Sequence, residues 1–458
     1  MDASRQPSNF SKFTDELRRA FQEYLSVPTV IILVFLALAA VMIAIEKSEI
    51  AAVDRLRVTL TDQVFGDGDS TRDILTAAAA TLITITSITF TVLLLAVQQA
   101  AGAMGTQIID QFLRRPINQL VFGYFVGMSI YSLIVLAAVH EEFNPILSTL
   151  LAFVFSGVAL YLLAALVYVT LTQMRPAIVI HAIHDGTLAA RKRQLPIIMR
   201  TRRSPRINDG GRIAVHSRGD GYVGYVDLDL LDKAIGGRRQ DLEIVLQVQI
   251  GSYVALGDAI AEIRTLSDID TAGLQEAIRR AVKLGRARDL QYDPLHGIEQ
   301  IVNIGWTTIS TAQQSPIAGA QAIDALRDLL AVWSGNEEGA ENDEKLPIVY
   351  RDDIPSALLR AFESLAVAAG ESRQHQNFAL VLLVFAKMFE RLPPAQRSLA
   401  EAIVPRILSG MGELVLTTEL DEALMVLAAA LDTAGSGATA EVVRQARDHA
   451  HNKPDGRS

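Results

Sequence analysis

The sequence predicts an α-helical membrane domain of four transmembrane helices, followed by a cytoplasmic α+β region made of a small β-barrel-like module and a helical C-terminal domain. Three observations carry this. Half of the 458 residues are hydrophobic and only 20% are charged, giving a mean hydropathy of +0.27, too high for an ordinary soluble chain. Four uncharged apolar stretches, each near the roughly 20 residues a helix needs to cross the hydrocarbon core, all fall in the first 174 residues. Residues 207–458, in contrast, hold 24 basic and 36 acidic residues, a net of −12, the balance of a solvated body.

Taken in order, residues 1–26 form a mostly polar arm expected on the cytoplasmic side. The first span, about 27–45, is too long and too far from the N-terminus for a cleaved signal and reads as a retained anchor. The loop after it contains Asp67, Asp69 and Asp73 at gaps that a calcium loop also uses, but Arg72 stands where such a loop needs glycine. Ser70 with Asp73 reads instead as a capping box for the second span, about 74–97. The third and fourth spans, about 119–139 and 147–169, are joined by HEEFN, a turn without Lys or Arg whose Glu141 and Glu142 are available to attract cations. Between residues 175 and 206 lie eight basic residues and one acid, Asp185, which sets that side as cytoplasmic and, with four spans, both termini with it. The expectation is therefore a multi-pass membrane protein with both termini cytoplasmic. The same basic stretch also suits anionic lipid, whereas the acidic balance of the rest of the chain argues against nucleic acid.

The polar part divides by texture. Residues 175–210 read as a basic juxtamembrane helix, from Pro176 to about Gln194, and a linker. Residues 211–265 alternate, are rich in Val, Ile, Gly and Tyr and are broken by GD, GG and GS turns, the pattern of short strands. A helical segment, 266–333, includes TAGLQEAIRRAVKLGRA read as one helix; a polar linker spans 334–347, amphipathic helices fill 348–450, and the tail 451–458 is expected to be disordered. Within the helical part, FALVLLVFAKM is too short to span and reads as a buried helix.

Zero cysteine excludes disulfides, thiolate metal sites and cysteine nucleophiles. No Asp, Glu, His, Lys or Arg lies inside the four spans as bounded here, which argues against proton-coupled transport. In the second span Thr84, Ser87, Thr91 and Gln98 share one helical face with alanines nearby, a face able to line a wet pore in an oligomer or to pack against other helices. Gly123 and Gly127 form a G-x-x-x-G in the third span, the pattern of a helix contact. His181, His184 and Asp185 share a face of the juxtamembrane helix, a spacing that can bind a metal but is one ligand short of a usual site and more often marks a polar interface. No serine-hydrolase, nucleotide-binding P-loop, zinc-protease or kinase signature occurs, so no enzyme and no cofactor is expected.

Several motifs carry a family resemblance. SITFTVLLLAVQ, FLRRP, the run of Gly123, Phe125, Gly127, Tyr131 and Ser132, IVIHAIHD, GYVGYVDLDLL with GSYVALGDAIAEI, and RDLQYDPLHGIEQIVNIGWTTIS stand in the order seen in a bacterial family of predicted membrane proteins, domain of unknown function 2254. The resemblance covers residues 27 to about 330 and implies the four-span architecture without supplying catalytic residues. One departure is STAQQSPIAGAQA, where the family has a Ser-Pro followed by an Asn-Asp-Pro turn. The two half-motifs GYVGYVDLDLL and VQIGSYVALGDAIAEI also resemble, in pattern, the barrel-sandwich halves of biotinyl and lipoyl domains, but no lysine stands at a hairpin tip between them. The leading functional expectation is an oligomeric channel-like protein for passive ion or solute movement with a cytoplasmic gating or assembly domain. The alternative is a membrane-anchored sensor or scaffold.

Overall fold

A computed structural model of the chain describes residues 25–48, 68–104, 116–140, 143–173, 175–237, 240–267, 270–310, 316–336, 345–412 and 414–452. The N-terminal arm, Asp67, the turn acids Glu141 and Glu142, the tail from 453, and the centres of the 334–347 linker and of the 310–322 departure lie outside the described residues. The chain divides into two compact units, Met1–Arg175 and Pro176–Ser458.

Among the described residues the first unit contains four helices long and apolar enough to cross a membrane: α1 (Ser26–Lys47), α2 (Gly68–Met104), α3 (Pro116–Ala138) and α4 (Ile146–Gln173). Half of the α3 span is buried, against 17% for α1 and α4 and 28% for α2, so α3 is the hub. Its Val121, Phe125, Met128, Tyr131 and Val135 pack with Phe35 of α1, Leu75, Leu82 and Ile85 of α2, and Ala152, Ala159 and Leu166 of α4. Phe35 meets Tyr124 edge-on with ring centroids 5.4 Å apart and Phe155 at 6.0 Å, the geometry that aligns a positive ring edge with a negative face. Two phenols cross-link α3 to α4, Tyr124 donating to the Phe155 carbonyl at 2.9 Å and Tyr131 to that of Ser148 at 3.1 Å.

Several helices extend beyond the spans read from the sequence, and at two of these ends the extension changes what a residue does. Helix α2 begins at Gly68, so Ser70 lies inside the first turn and not ahead of it. Helix α1 runs two residues past 45 and carries Glu46 with it; that side chain is buried, and its Oε1 accepts from the Ser148 backbone N–H at 2.6 Å and from the Ser148 hydroxyl at 3.2 Å. Because the first amides of a helix have no intrahelical acceptor and favour negative charge, Glu46 caps α4 from another helix.

The second unit opens with α5 (Pro176–Arg200), longer than read because Pro196 is tolerated near its end. The alternating stretch then forms two small sheets, and the barrel expectation is corrected: neither sheet closes. One has the order β1 (Gly211–His216), β5 (Ala259–Thr265), β3 (Leu242–Leu246), β7 (Ile348–Val349); the other is β4 (Tyr253–Val254), β2 (Gly221–Val226), β6 (Val282–Gly285). In the first sheet Ile213, Ile263, Ile244 and Ile348 stand in one row across four strands. DLDLL, read as strand, is instead α6 (Leu228–Ile235), because the Asp227 carboxylate accepts from the Leu230 N–H at 3.0 Å and starts a helix there. The single helix read after residue 270 stops as α7 (Ala272–Ala281), and VKLG turns into β6 because β2 offers it antiparallel partners from Tyr222 to Val226.

Among the described residues seven α-helices complete the unit: α8 (Pro294–Ser310), α9 (Pro316–Asn336), α10 (Ile354–Glu371), α11 (His375–Met388), α12 (Pro394–Ser409), α13 (Thr418–Thr433) and α14 (Gly437–His451). Helix α11 holds FALVLLVFAKM, with Phe378, Leu382 and Phe385 buried and Lys387 exposed. The expected linker contributes to the core at its far end, where Leu346 and Ile348 are buried and β7 joins β3 in parallel.

Candidate functional site

In α2 the residues facing the rest of the first unit are Leu75, Ala78, Ala79, Leu82, Ile85 and Thr89, all buried at the helical repeat. Thr84, Ser87, Thr91 and Gln98 occupy the opposite side and are exposed, together with Ala77 and Ala80. Ile83, Phe90 and Leu94 border this stripe on one flank and Ile88 and Leu95 on the other, all exposed. Each hydroxyl bonds back into its own helix: Thr84 donates to Ala80 O at 2.9 Å, Ser87 to Ile83 O at 3.1 Å and Thr91 to Ser87 O at 2.9 Å. The stripe is therefore polar and small yet internally hydrogen-bonded, a surface compatible with hydrocarbon-depth contact and with water.

Gly123 and Gly127 lie where α3 meets α1. A Cβ on Gly123 would come within 2.8 Å of Pro28 Cα, and one on Gly127 within 2.6 Å of the Phe35 ring. The pair allows the two backbones to approach.

The juxtamembrane face does not assemble a metal centre. His184 bonds Asp185 at 3.2 Å and, through Nε2, Asp328 of α9 at 2.9 Å, while His181 is exposed. Among the described residues no cluster of three or more His, Cys, Asp or Glu side chains gathers as a metal site. His184 thus ties α5 to α9.

Much of the basic stretch is likewise consumed inside the second unit. Arg191 is 2% exposed and forks onto Asp352 with bonds of 2.9 and 2.6 Å, contacts Gln194 at 3.0 Å and lies 5.5 Å over the Trp333 ring. Gln194 donates to the Tyr350 hydroxyl at 3.0 Å, and the Ile250 N–H does so at 3.2 Å; burial pushes that phenol up to about 12, so it stays protonated. Arg202 pairs with buried Glu243 at 3.4 Å, and the same carboxylate takes the backbone N–H groups of Arg206 and Ile207. Arg200 pairs with Asp229 at 2.7 Å.

The feature that sequence reasoning missed is a groove on the second unit. RDLQYDPLHGIEQ folds as a turn that delivers Asp293 to the N-terminus of α8, where Oδ1 accepts from the His296 N–H at 3.1 Å and Oδ2 from Arg288 Nε at 2.6 Å. Gly251 lies against it at φ +90, and a Cβ there would come within 2.2 Å of Asp293 Oδ2. Two of the motifs in the resemblance therefore meet at this contact. Burial first, and the Arg288 cation second, hold the His296 imidazole below its usual range. Beside this core a cavity of about 460 Å³ is lined by Tyr222, Tyr225, Tyr292, Lys283 and Arg288 among others. A second cavity of about 220 Å³ shares Gly224, Tyr225 and Tyr292 with it and reaches Arg193 and Arg200. Alternation in GYVGYV could have signalled the tyrosines, but nothing in the sequence says that the 283–292 segment lies beside them.

Four membrane-length apolar helices followed by a separate mixed α/β unit define a multi-span membrane protein with a large polar body. The chain belongs to the family described as predicted membrane protein, domain of unknown function 2254, which matches residues 22–377. Uncharacterized proteins of Mycobacterium bovis and Mycobacterium tuberculosis are 26% identical over 332 residues, 68% of this chain and 61% of theirs. The chain thus spans about six tenths of the length of these relatives. No solved structure matches.

Proposed function

We propose that the protein is an oligomeric, channel-like protein of the bacterial inner membrane, with both termini cytoplasmic, in which the α2 stripe of several copies surrounds a passive path and the second unit assembles or gates it. The observation that carries this reading is the outward exposure of Thr84, Ser87, Thr91 and Gln98. The interior of one chain is filled by Phe35, Phe125, Met128 and Tyr131, so a path made of described residues needs more than one copy. Eight basic residues at the exit from α4 support the orientation; exposed Lys192 among them suits anionic lipid. The reading involves no catalysis, no cofactor and no nucleic acid.

Flux through liposomes holding purified protein, with cross-linking to count copies, tests it. The expected result is an oligomer that conducts, with Thr84→Val and Thr91→Val each changing the flux at least several-fold. An absence of conductance under voltage and under membrane tension, or flux indifferent to both substitutions, overturns it. The groove of the second unit favours a second reading, a membrane-anchored sensor in which the spans only hold the chain at the bilayer. A monomer that conducts nothing while a ligand alters the second unit would favour that reading.

A further inference from the structure

Gly224 sits at a bulge: the pairing of β2 with β6 shifts register between Val223 and Tyr225. Such a bulge re-aims the side chain that follows it, and Tyr225 is accordingly 49% exposed. Both cavities are lined by Gly224, Tyr225 and Tyr292, so they form two lobes of one groove. Its walls carry aromatic faces. Tyr222 is fixed edge-on by Tyr253 at 5.2 Å, and Tyr292, 45% exposed, has the Arg193 guanidinium over its ring at 5.5 Å.

The charges are unevenly used. Asp229 is taken by Arg200 at 2.7 Å and Asp293 is held by Arg288 and by the α8 cap, while Asp289 accepts from the Gln291 N–H at 2.9 Å and has no ion-pair partner among the described residues. On the cationic side, Lys283 is exposed and has no ion-pair partner among the described residues, and Arg193 spends a donor on the Gln291 carbonyl and not on a carboxylate. A groove with tyrosine faces, two cations against one unpaired carboxylate and an open glycine wall fits a ligand with a planar ring at one end and an anionic group at the other. Aromatic side chains stack bases whatever their identity, and a lysine serves phosphate as a point charge.

We propose that this groove binds a mononucleotide, with the base between the tyrosines and the phosphate toward Lys283 and Arg193. The proposal concerns the second unit alone and stands whether or not the α2 stripe conducts.

Titration calorimetry on the full-length protein in nanodiscs, with the four ribonucleoside 5′-monophosphates and with adenosine and inorganic phosphate as separate arms, tests it. The expected result is saturable binding of at least one nucleotide, at least ~10-fold tighter than adenosine or phosphate. Gly224→Leu blocks the shared wall without a clash, since a Cβ there meets only the Lys283 carbonyl, at 3.9 Å; it abolishes binding while thermal unfolding is unchanged. Tyr225→Ala, which adds no bulk, weakens binding ~10-fold and serves if Gly224→Leu fails to fold. Lys283→Ala weakens nucleotide ~10-fold and leaves adenosine alone. Absence of binding by all four nucleotides, binding indifferent to Gly224→Leu and Tyr225→Ala, or phosphate binding as tightly as the nucleotides overturns the proposal.

Discussion

At the scale of single residues, the second unit depends on a few buried polar contacts made across long stretches of chain. Arg191 and Asp352 are 161 residues apart; Arg191 is almost wholly withdrawn from water and Asp352 largely so. Removing one partner of such a pair leaves a buried charge uncompensated, at a cost of about 3–5 kcal/mol. Asp352→Ala is therefore expected to lower the unfolding temperature of the second unit sharply, while the paired Arg191→Met with Asp352→Leu recovers most of it, as read by calorimetry. Gly251 is a sharper case. Its φ of +90 is costly for a side chain, about 1–3 kcal/mol, and a Cβ would also strike Asp293. Gly251→Ala should destabilise by at least that amount and expel the Asp293 carboxylate from its cap. His296 gives a pH signature. Its folded pKa is depressed by burial and by Arg288, so the folded state is favoured above the unfolded histidine value of about 6.5 and loses that advantage as pH falls through the lower folded value. Unfolding temperatures measured from pH 8 to pH 5 should fall less steeply for His296→Asn than for the unaltered protein; equal slopes would remove His296 from the account.

At the scale of elements, what decides legibility is whether an element's cause is local. The spans were readable because a run of some 20 apolar residues is sufficient reason for a membrane helix. The cap that Asp227 gives α6 was also local, yet GYVGYVDLDLL alternates well enough to hide it behind a strand pattern. Strand β6 was unreadable because VKLG continues an amphipathic helix until β2 supplies partners, and β7 is two residues whose identity comes from β3, about a hundred positions earlier. The basic run showed its charges but not its partners, so Arg191 and Arg202 read as a surface when they are buried ties, and nothing pointed from Arg200 to Asp229. The outward face of α2 was legible as a face, and its direction was not. The α1–α3 contact offers an internal comparison. Gly127→Leu forces a side chain into Phe35, and overpacking of this kind typically costs about 1–3 kcal/mol; Gly157 on α4, the site for the comparison Gly157→Leu, is exposed, and a Cβ there meets nothing within 4 Å. Thermal unfolding in detergent should drop for the first and hold for the second. Equal behaviour would mean that α1 and α3 are not closely packed.

At the scale of the whole molecule, the net charge of −9 averages an apolar unit and an acidic one. The second unit has its own core, running from Ile197 and Val215 through Ile263 and Ile278 to Tyr350, and ties α5 into itself through His184, Arg191 and Arg200. A fragment of residues 176–458 is expected to fold alone, with a helix-rich circular dichroism spectrum and a single cooperative melt; aggregation or a non-cooperative melt would contradict that independence. The first unit has a different dependence, set by one contact. Glu46 closes the end of α1, and its acceptor role is fulfilled by Ser148, 102 residues later in the chain. A ribosome therefore delivers the first helix to the bilayer well before it delivers the group that Glu46 caps. Synthesis and packing are thus out of step at this contact: the end of α1 gains its Ser148 partner only when α4 arrives, and a chain interrupted after α3 lacks that latch.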